Sequence, residues 1–478
     1  MTALCLLASL LAQPAATAPA PAPFGLRIVD AETGRGVPLV ELKATTQQRF
    51  WTDSAGWVAI TEPELLGHEV FFHVASHGYE FEQEGFGYRG RAVRCEPGGR
   101  ATWPITRRNL AERLYRITGA GIYNHSVTLG EPVPIAEPLL NGGVAGLDST
   151  QPAVYQGRIH WFWGDTNRLA HPLGNFETTG GVSDLPAAGG LDPAVGIDIR
   201  FHTNDAGFAR SMIRRPGPGP IWVDGMITLP DAAGRERLCC GWTKVDQDMR
   251  AVSRGLAAWD DAAEQFELVV DVPLDAPYVP YGQPFIHEGY AYFGDPFPNL
   301  RVPATFEAWA DLDQYEGFAW GADGYQWRPG VAGDPQYTEH ERIEAGEQPA
   351  ETARWRVRAA DEPARRISLH RGTVRYNPYL DAWLLIAVGN FGGPSFLGEV
   401  WAGIADSPMG PWGEVRRILT HDRYSFYNPR QDEFFDQDGG RTVYFEGTYA
   451  STFSRTEDLT PLYDYNQMMY RLDVELLR

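Results

Sequence analysis

Residues 147–167 read LDSTQPAVYQGRIHWFWGDTN. An apolar strand, a Gln-Gly turn and an aromatic strand closed by Gly164-Asp165 make the pattern of an antiparallel hairpin. With Gln156 and Gly157 as the two turn residues, Tyr155 stands opposite Arg158. Counting outward in that register brings Asp148 opposite Asp165.

The same theme returns at 284–296 (PFIHEGYAYFGDP), 373–390 (TVRYNPYLDAWLLIAVGN) and 433–448 (EFFDQDGGRTVYFEGT), and residues 220–243 supply a further hairpin with a longer loop. Outer-strand candidates such as EVWAGIADSPMGPWGEVRRIL follow several hairpins, and no stretch carries the period of a long helix. Five hairpin-plus-outer-strand units at a pitch of about 65–75 residues predict an all-β fold, a five-bladed β-propeller over 113–478. LYRITGAGIYNHSVTL near its start and YNQMMYRLDVEL at its end are the strands expected to close the ring. A two-sheet sandwich of the same length is the competing architecture.

The chain has 478 residues, 43% hydrophobic, 12% aromatic and 22% charged, with 52 glycines and 36 prolines. That length accommodates a large core and two or three domains, and the composition argues against disorder, coiled coil and a polytopic membrane protein. A formal charge of −21 repels nucleic acid and anionic lipid, so neither is expected as a partner. The apolar run LCLLASLLA (4–12), followed by QPAATAPAPAP, is too short to span a bilayer and reads as a secretory leader over 1–22, although no Lys or Arg precedes it. Export to the periplasm or the outside of a bacterial cell is the expectation. Cys5 falls in the leader, while Cys95, Cys239 and Cys240 form neither a disulfide framework nor a zinc spacing and read as small buried hydrophobes. No cofactor and no metal is expected, and the oligomeric state is not readable.

Residues 24–107 alternate apolar and polar positions between turns at Glu32–Gly36 and Asp53–Gly56. They resemble the carboxypeptidase-regulatory-like, transthyretin-type β-sandwich at Val29/Asp30/Thr33/Gly34 (one residue tighter than that pattern), Thr52/Asp53/Gly56 and Gly78/Tyr79. The resemblance implies a spacer or accessory domain.

The Asp148/Asp165 pairing carries the chemistry. Opposed residues have Cβ atoms about 4.5–5.5 Å apart, and like charges there are destabilising. Glycosidases use such pairs, about 5–5.5 Å apart between carboxyl groups in retaining enzymes and about 6.5–9.5 Å in inverting ones. Mutual repulsion raises one pKa and yields an acid and a base from one residue type. The competing reading makes both ordinary turn residues. Asp295 in FGDP repeats the second position with Gly282 opposite, which marks Gly-Asp as partly a fold feature.

An Asp before the first strand and an aromatic strand ending in Gly-Asp are similar to the first blade of five-bladed propeller glycosidases. IADSPMGPW (404–412) resembles the outer-strand mark of glycoside hydrolase family 43. DSTQPAVYQGRIHWFWGDT is closer to the endo-D-arabinanases of family 183, with Asp148 and Gly164-Asp165-Thr166 in the matching places. Ser-Thr-Gln between Asp148 and Pro152 departs from family 43, where Asp-Pro is direct. The resemblance implies that Asp148 and Asp165 are catalytic and that a Glu from a later blade is the general acid. Glu446 is the best-placed Glu, interrupting an aromatic strand where other blades carry Gly.

Candidates for substrate binding are Trp163, Asp224, Tyr281, His370, Arg371 and Asn428, with Trp161, Trp222 and Tyr427 beside them. Alternation puts Trp161 and Trp163 on the Asp148/Asp165 face, although Trp in strands is otherwise blade core. The expected function is an exported glycoside hydrolase acting on a polysaccharide or oligosaccharide. Two readings stay open: a non-catalytic carbohydrate-binding propeller, and a polysaccharide lyase using His370, Arg371 and Tyr376. No nucleophile elbow, zinc helix or phosphate loop is present in the sequence.

Overall fold

A computed structural model describes residues 21–170, 177–391 and 395–478, and most of the expected leader lies outside them. Regular structure is almost entirely strand; the longest helix among the described residues, Gln336–Glu344, has 9 residues. No described helix is long and apolar enough to cross a membrane.

Two four-stranded sheets come first. One orders Trp57–Ile60, Phe24–Asp30, Arg100–Arg107 and Tyr79–Glu80, the other Arg49–Trp51, Glu41–Ala44, Glu69–Ala75 and Gly90–Arg94. Alternation decides their inner faces: Val70, Phe72 and Val74 turn inward from one sheet to meet Leu26, Ile28 and Trp103 of the other.

Five sheets then follow in chain order, each mainly an antiparallel meander. The first runs through Ala153–Tyr155, Arg158–Trp163, Thr179–Asp184 and Arg200–Phe201, and the second through Ile221–Pro230, Glu236–Val245, Ala251–Asp260 and Gln265–Val272. The third begins with Phe285–His287 and Tyr290–Gly294; the fourth runs through Arg356–Ala359, Arg366–Asn377, Ala382–Asn390, Glu399–Ala405 and Glu414–Thr420, its first strand also pairing in parallel with its last. The fifth takes Ser425–Gln431, Thr442–Ala450 and Asn466–Asp473 from the end of the chain and Glu112–Arg116 from before the first sheet.

Each sheet shares a core with the next. Phe162 of the first meets Leu238 and Trp242 of the second, and Leu229 and Leu256 of the second meet Phe293 and Leu300 near the third. Phe297 packs with Leu385 and Trp401 of the fourth, whose Leu384 and Ile386 meet Phe426 and Phe445 of the fifth. Tyr115, Tyr444 and Met469 of the fifth return to Ile159, Trp161 and Trp163 of the first. Both faces of a sheet in this series are therefore core. Polar side chains that must meet a ligand are left the strand ends and the bulges.

Candidate active site

The hairpin register is the predicted one. Gln156 and Gly157 have φ of 49° and 73°, the backbone of a two-residue primed turn, and Tyr155 pairs with Arg158. Gln151 and Phe162 exchange hydrogen bonds at 2.7 and 3.2 Å. Beyond Ser149, which has φ of 54°, the pairing resumes as a short ladder with Leu147 opposite Thr166. Asp148 and Asp165 are the next residues inward from that pair. The Asp148 carbonyl accepts the Gly164 N–H at 2.9 Å.

Both carboxyls are half-buried. Burial pushes Asp148 up to about 6, and the charge of Asp165 adds to it. Donors pull the other way: the Tyr427 hydroxyl donates to Asp148 Oδ2 at 2.5 Å, and the Tyr465 hydroxyl and the Asp165 N–H also bond this carboxylate. Burial raises Asp165 as well, against the Trp222 indole N–H that donates to its Oδ1 at 2.9 Å. Four donors thus converge on one pair of like charges.

Asp224, His370, Arg371 and Asn428 lie on strands of later sheets, where bulges re-aim side chains, and Tyr281 precedes the third sheet. A bulge after Asp224 uses Gly225 at φ of 63°, and Asp224 Oδ1 accepts the N–H groups of Gly225 and Gly282, both at 2.9 Å. A second bulge, between Leu369 and Gly372, turns out His370 and Arg371. A third, between Tyr427 and Arg430, holds Asn428 at φ of 53°, where its Nδ2 donates to Ser149 Oγ at 2.7 Å. Asn428 therefore braces the loop that carries Asp148.

Arg371 joins these groups. Its guanidinium is stabilised most by Asp295, then by Asp224, Tyr281 and Asp148. Asp295 was read from sequence as part of a repeated Gly-Asp that is partly a fold feature, yet it lies in this cluster: Oδ1 accepts the Gly372 N–H at 2.7 Å and Oδ2 stands 3.5 Å from Arg371 Nε. Burial and the charge of Asp224 lift Asp295 to about 7, opposed by Arg371 and the Gly372 N–H. Asp224 is raised by burial against the same arginine. Tyr281 is raised to about 12, chiefly by burial, and accepts from Asn299 Nδ2 at 2.6 Å. Burial drops His370 to about 4, so its ring is neutral at ordinary pH.

Two sequence expectations are corrected. Trp163 is 1% exposed and stacks on Trp161 at 6.4 Å and 7°, within the core between the first and fifth sheets, so it has no free face for a sugar. Glu446 is also 1% exposed. Its Oε2 accepts from Thr150 Oγ1 at 3.2 Å, and the charges acting on it are Asp432 and Arg430 rather than the Asp148/Asp165 pair. Burial raises it well above the usual carboxylate range. Glu446 belongs to a buried polar layer with Thr150, Arg430 and Asp432.

Asp295 and Tyr465 are the residues that sequence reasoning missed. The FGDP echo of WGDT was the available signal for Asp295; nothing local marks Tyr465. Among the described residues no cluster of His, Cys, Asp and Glu has the arrangement of a metal site. The site offers acid–base chemistry between paired carboxyls, with an arginine to orient a polar ligand.

The sequence matches no protein-family profile and no curated protein. Solved structures similar to the chain include an exo-1,5-α-L-arabinanase from a bovine ruminal metagenomic library, 10% identical with a TM-score of 0.35, covering 69% of this chain and 94% of that one. An exo-β-1,3-galactanase from Phanerochaete chrysosporium is 10% identical with a TM-score of 0.35, covering 76% of this chain and 65% of that one. An α-L-arabinofuranosidase from Clostridium thermocellum is 12% identical with a TM-score of 0.33, covering 68% and 88%.

Proposed function

We propose that the chain is an exported glycoside hydrolase that cleaves a polysaccharide or oligosaccharide. In this reading the five sheets are the blades of a β-propeller over 113–478, and the sheets of 24–107 are a carboxypeptidase-regulatory-like accessory sandwich. One observation supports it: Asp148 and Asp165 come together at the strand ends, the Asp165 N–H bonding the Asp148 carboxylate, with donors from Tyr427, Tyr465 and Trp222 around them. A structural design has no use for two opposed carboxylates, whereas glycosidic hydrolysis needs two of them across one bond. Arg371 and Tyr281 supply polar groups for the hydroxyls of a sugar ring. The apolar run at 4–12 and the charge of −21 support export and an uncharged or cationic ligand over nucleic acid.

The test is turnover of purified protein on a panel of arabinans, galactans and xylans, beside Asp148→Asn and Asp165→Asn. Reducing-sugar release that falls by about 10³-fold or more in both folded variants is the expected result. Carbohydrate binding without turnover, indifferent to both substitutions, overturns the hydrolase and favours a binding module.

A further inference from the structure

Asp295, which shares Arg371 with Asp224, has its own chemistry. We propose that Asp295 is the proton donor to the departing sugar oxygen, leaving the Asp148/Asp165 pair to act in ionised form. The inference rests on the hydrolase reading above and names a catalytic residue within it.

The donor count separates the two stations. Four groups (the hydroxyls of Tyr427 and Tyr465, the Asp165 N–H and the Trp222 indole) donate into the Asp148/Asp165 pair. Donors that satisfy carboxylate lone pairs favour the charged form, which suits a base or nucleophile. Asp295 takes one backbone N–H, on Oδ1. Its Oδ2 accepts no hydrogen bond among the described residues and stands 3.5 Å from Arg371 Nε, a cation that draws the group toward its charged form against burial. The side chain is 9% exposed, which leaves it dry but reachable. Burial, with a smaller push from Asp224, outweighs Arg371 and the Gly372 N–H and leaves the group poised near neutral pH, where a carboxyl is suited to give up a proton in the reaction.

Place also matters. Asp295 follows the second strand of the third sheet as Asp165 follows the second strand of the first. Arg371, 3.5 Å from Asp295, is also acted on by the charges of Asp224 and Asp148, so both stations bear on one guanidinium. A glycosidic bond lying across Arg371 meets a proton source on one side and an ionised pair on the other. As the anomeric C–O bond breaks, its electron pair goes to the departing oxygen, which takes the Asp295 proton. Water supplies the oxygen that replaces it at the anomeric carbon, one of its protons going to the ionised pair and on to solvent, and Asp295 is reprotonated from solvent. The balance is that of hydrolysis.

The experiment compares Asp295→Asn and Asp295→Glu with wild type on the polysaccharide turned over best and on 4-nitrophenyl glycosides of the same sugar. Nitrophenolate leaves without protonation, so Asp295→Asn is expected to lose about 10²–10⁴-fold in kcat/KM on the polymer and at least tenfold less on the aryl glycoside. The basic limb of the pH–rate profile is expected to vanish in Asp295→Asn and persist in Asp295→Glu. Equal losses on both substrates, with the basic limb unmoved, overturn the assignment and leave Asp295 a partner that positions Arg371. Turnover unchanged in Asp295→Asn overturns it outright. An Asp295→Asn chain that does not fold leaves Asp295→Glu to decide, since a basic limb unmoved there against wild type also overturns it. Asp148→Asn and Asp165→Asn run alongside: wild-type rates in those two reject the carboxylate-pair hydrolase itself, and a wild type that splits no glycoside rejects both ideas.

Discussion

Replacing Tyr427 by Phe removes one of the three donors on the Asp148 carboxyl. The hydroxyl donates to Asp148 Oδ2 at 2.5 Å and opposes the burial that lifts this group to about 6. A hydrogen bond to a charged partner contributes about 1.5–3 kcal/mol, and one pKa unit is about 1.4 kcal/mol. Tyr465 and the Asp165 N–H remain, so the expected rise is about one to two units, to about 7–8. The donor stabilises the ionised form; without it Asp148 keeps its proton to higher pH. If Asp148 works ionised, the acid limb of kcat/KM shifts upward by that amount while the plateau above it changes less. The assay is kcat/KM from pH 4 to 9 for both proteins, with a melting curve to establish folding. An acid limb that stays in place or moves down in a folded variant refutes the role given to Tyr427.

Three further outcomes are expected. A Cβ on Gly164 would stand 2.5 Å from Asp148 Oδ1, so Gly164→Ala displaces that carboxyl, with kcat/KM down about 100-fold and little change in melting temperature; unaltered turnover contradicts it. Glu446 is held neutral by burial, so Glu446→Gln keeps turnover within about threefold and the fold intact at pH 7, whereas a collapse of activity with normal melting would restore it as the acid. Asp436 is lifted to about 8, mainly by burial and then by Glu433, with Oδ1 lacking a hydrogen-bond partner. Its folded pKa exceeds the unfolded one, so wild type loses stability as pH rises from about 4 to 8; Asp436→Asn removes that loss, and its melting advantage, worth about 1–3 kcal/mol at pH 8, should shrink toward pH 5. Equal melting shifts at pH 5 and 8 would count against this.

The sequence carried the hairpin because its register is local. A Gln-Gly turn sets which residues oppose, and Leu147 opposite Thr166 shows the same register on the far side of Ser149. Trp163 was misjudged because alternation separates inside from outside only where one face is wet. In stacked sheets both faces are dry, so the period tells which neighbour a side chain meets: Phe162 the second sheet, Trp163 the fifth. Asp295 escaped for the opposite reason. Its meaning lies in Arg371, Gly372 and Asp224, which a bulge and two other sheets bring to it, and no local spacing encodes such a meeting. Glu446 matched a motif position, but its burial among Arg430 and Asp432 could not be read from a strand alone.

The fifth sheet has a consequence for biosynthesis. Its strand Glu112–Arg116 pairs with Asn466–Asp473, and Thr118 bonds Gln467 across 349 positions of chain. Closing a loop of that length costs about 5 kcal/mol in chain entropy beyond a constant. A ribosome adding about 5–20 residues per second delivers the second strand roughly 20–70 s after the first. Throughout that interval Tyr115 and Ile159 have no Tyr444 or Met469 to pack against. The nascent polypeptide therefore waits with an open seam, and its last-made strand is the clasp.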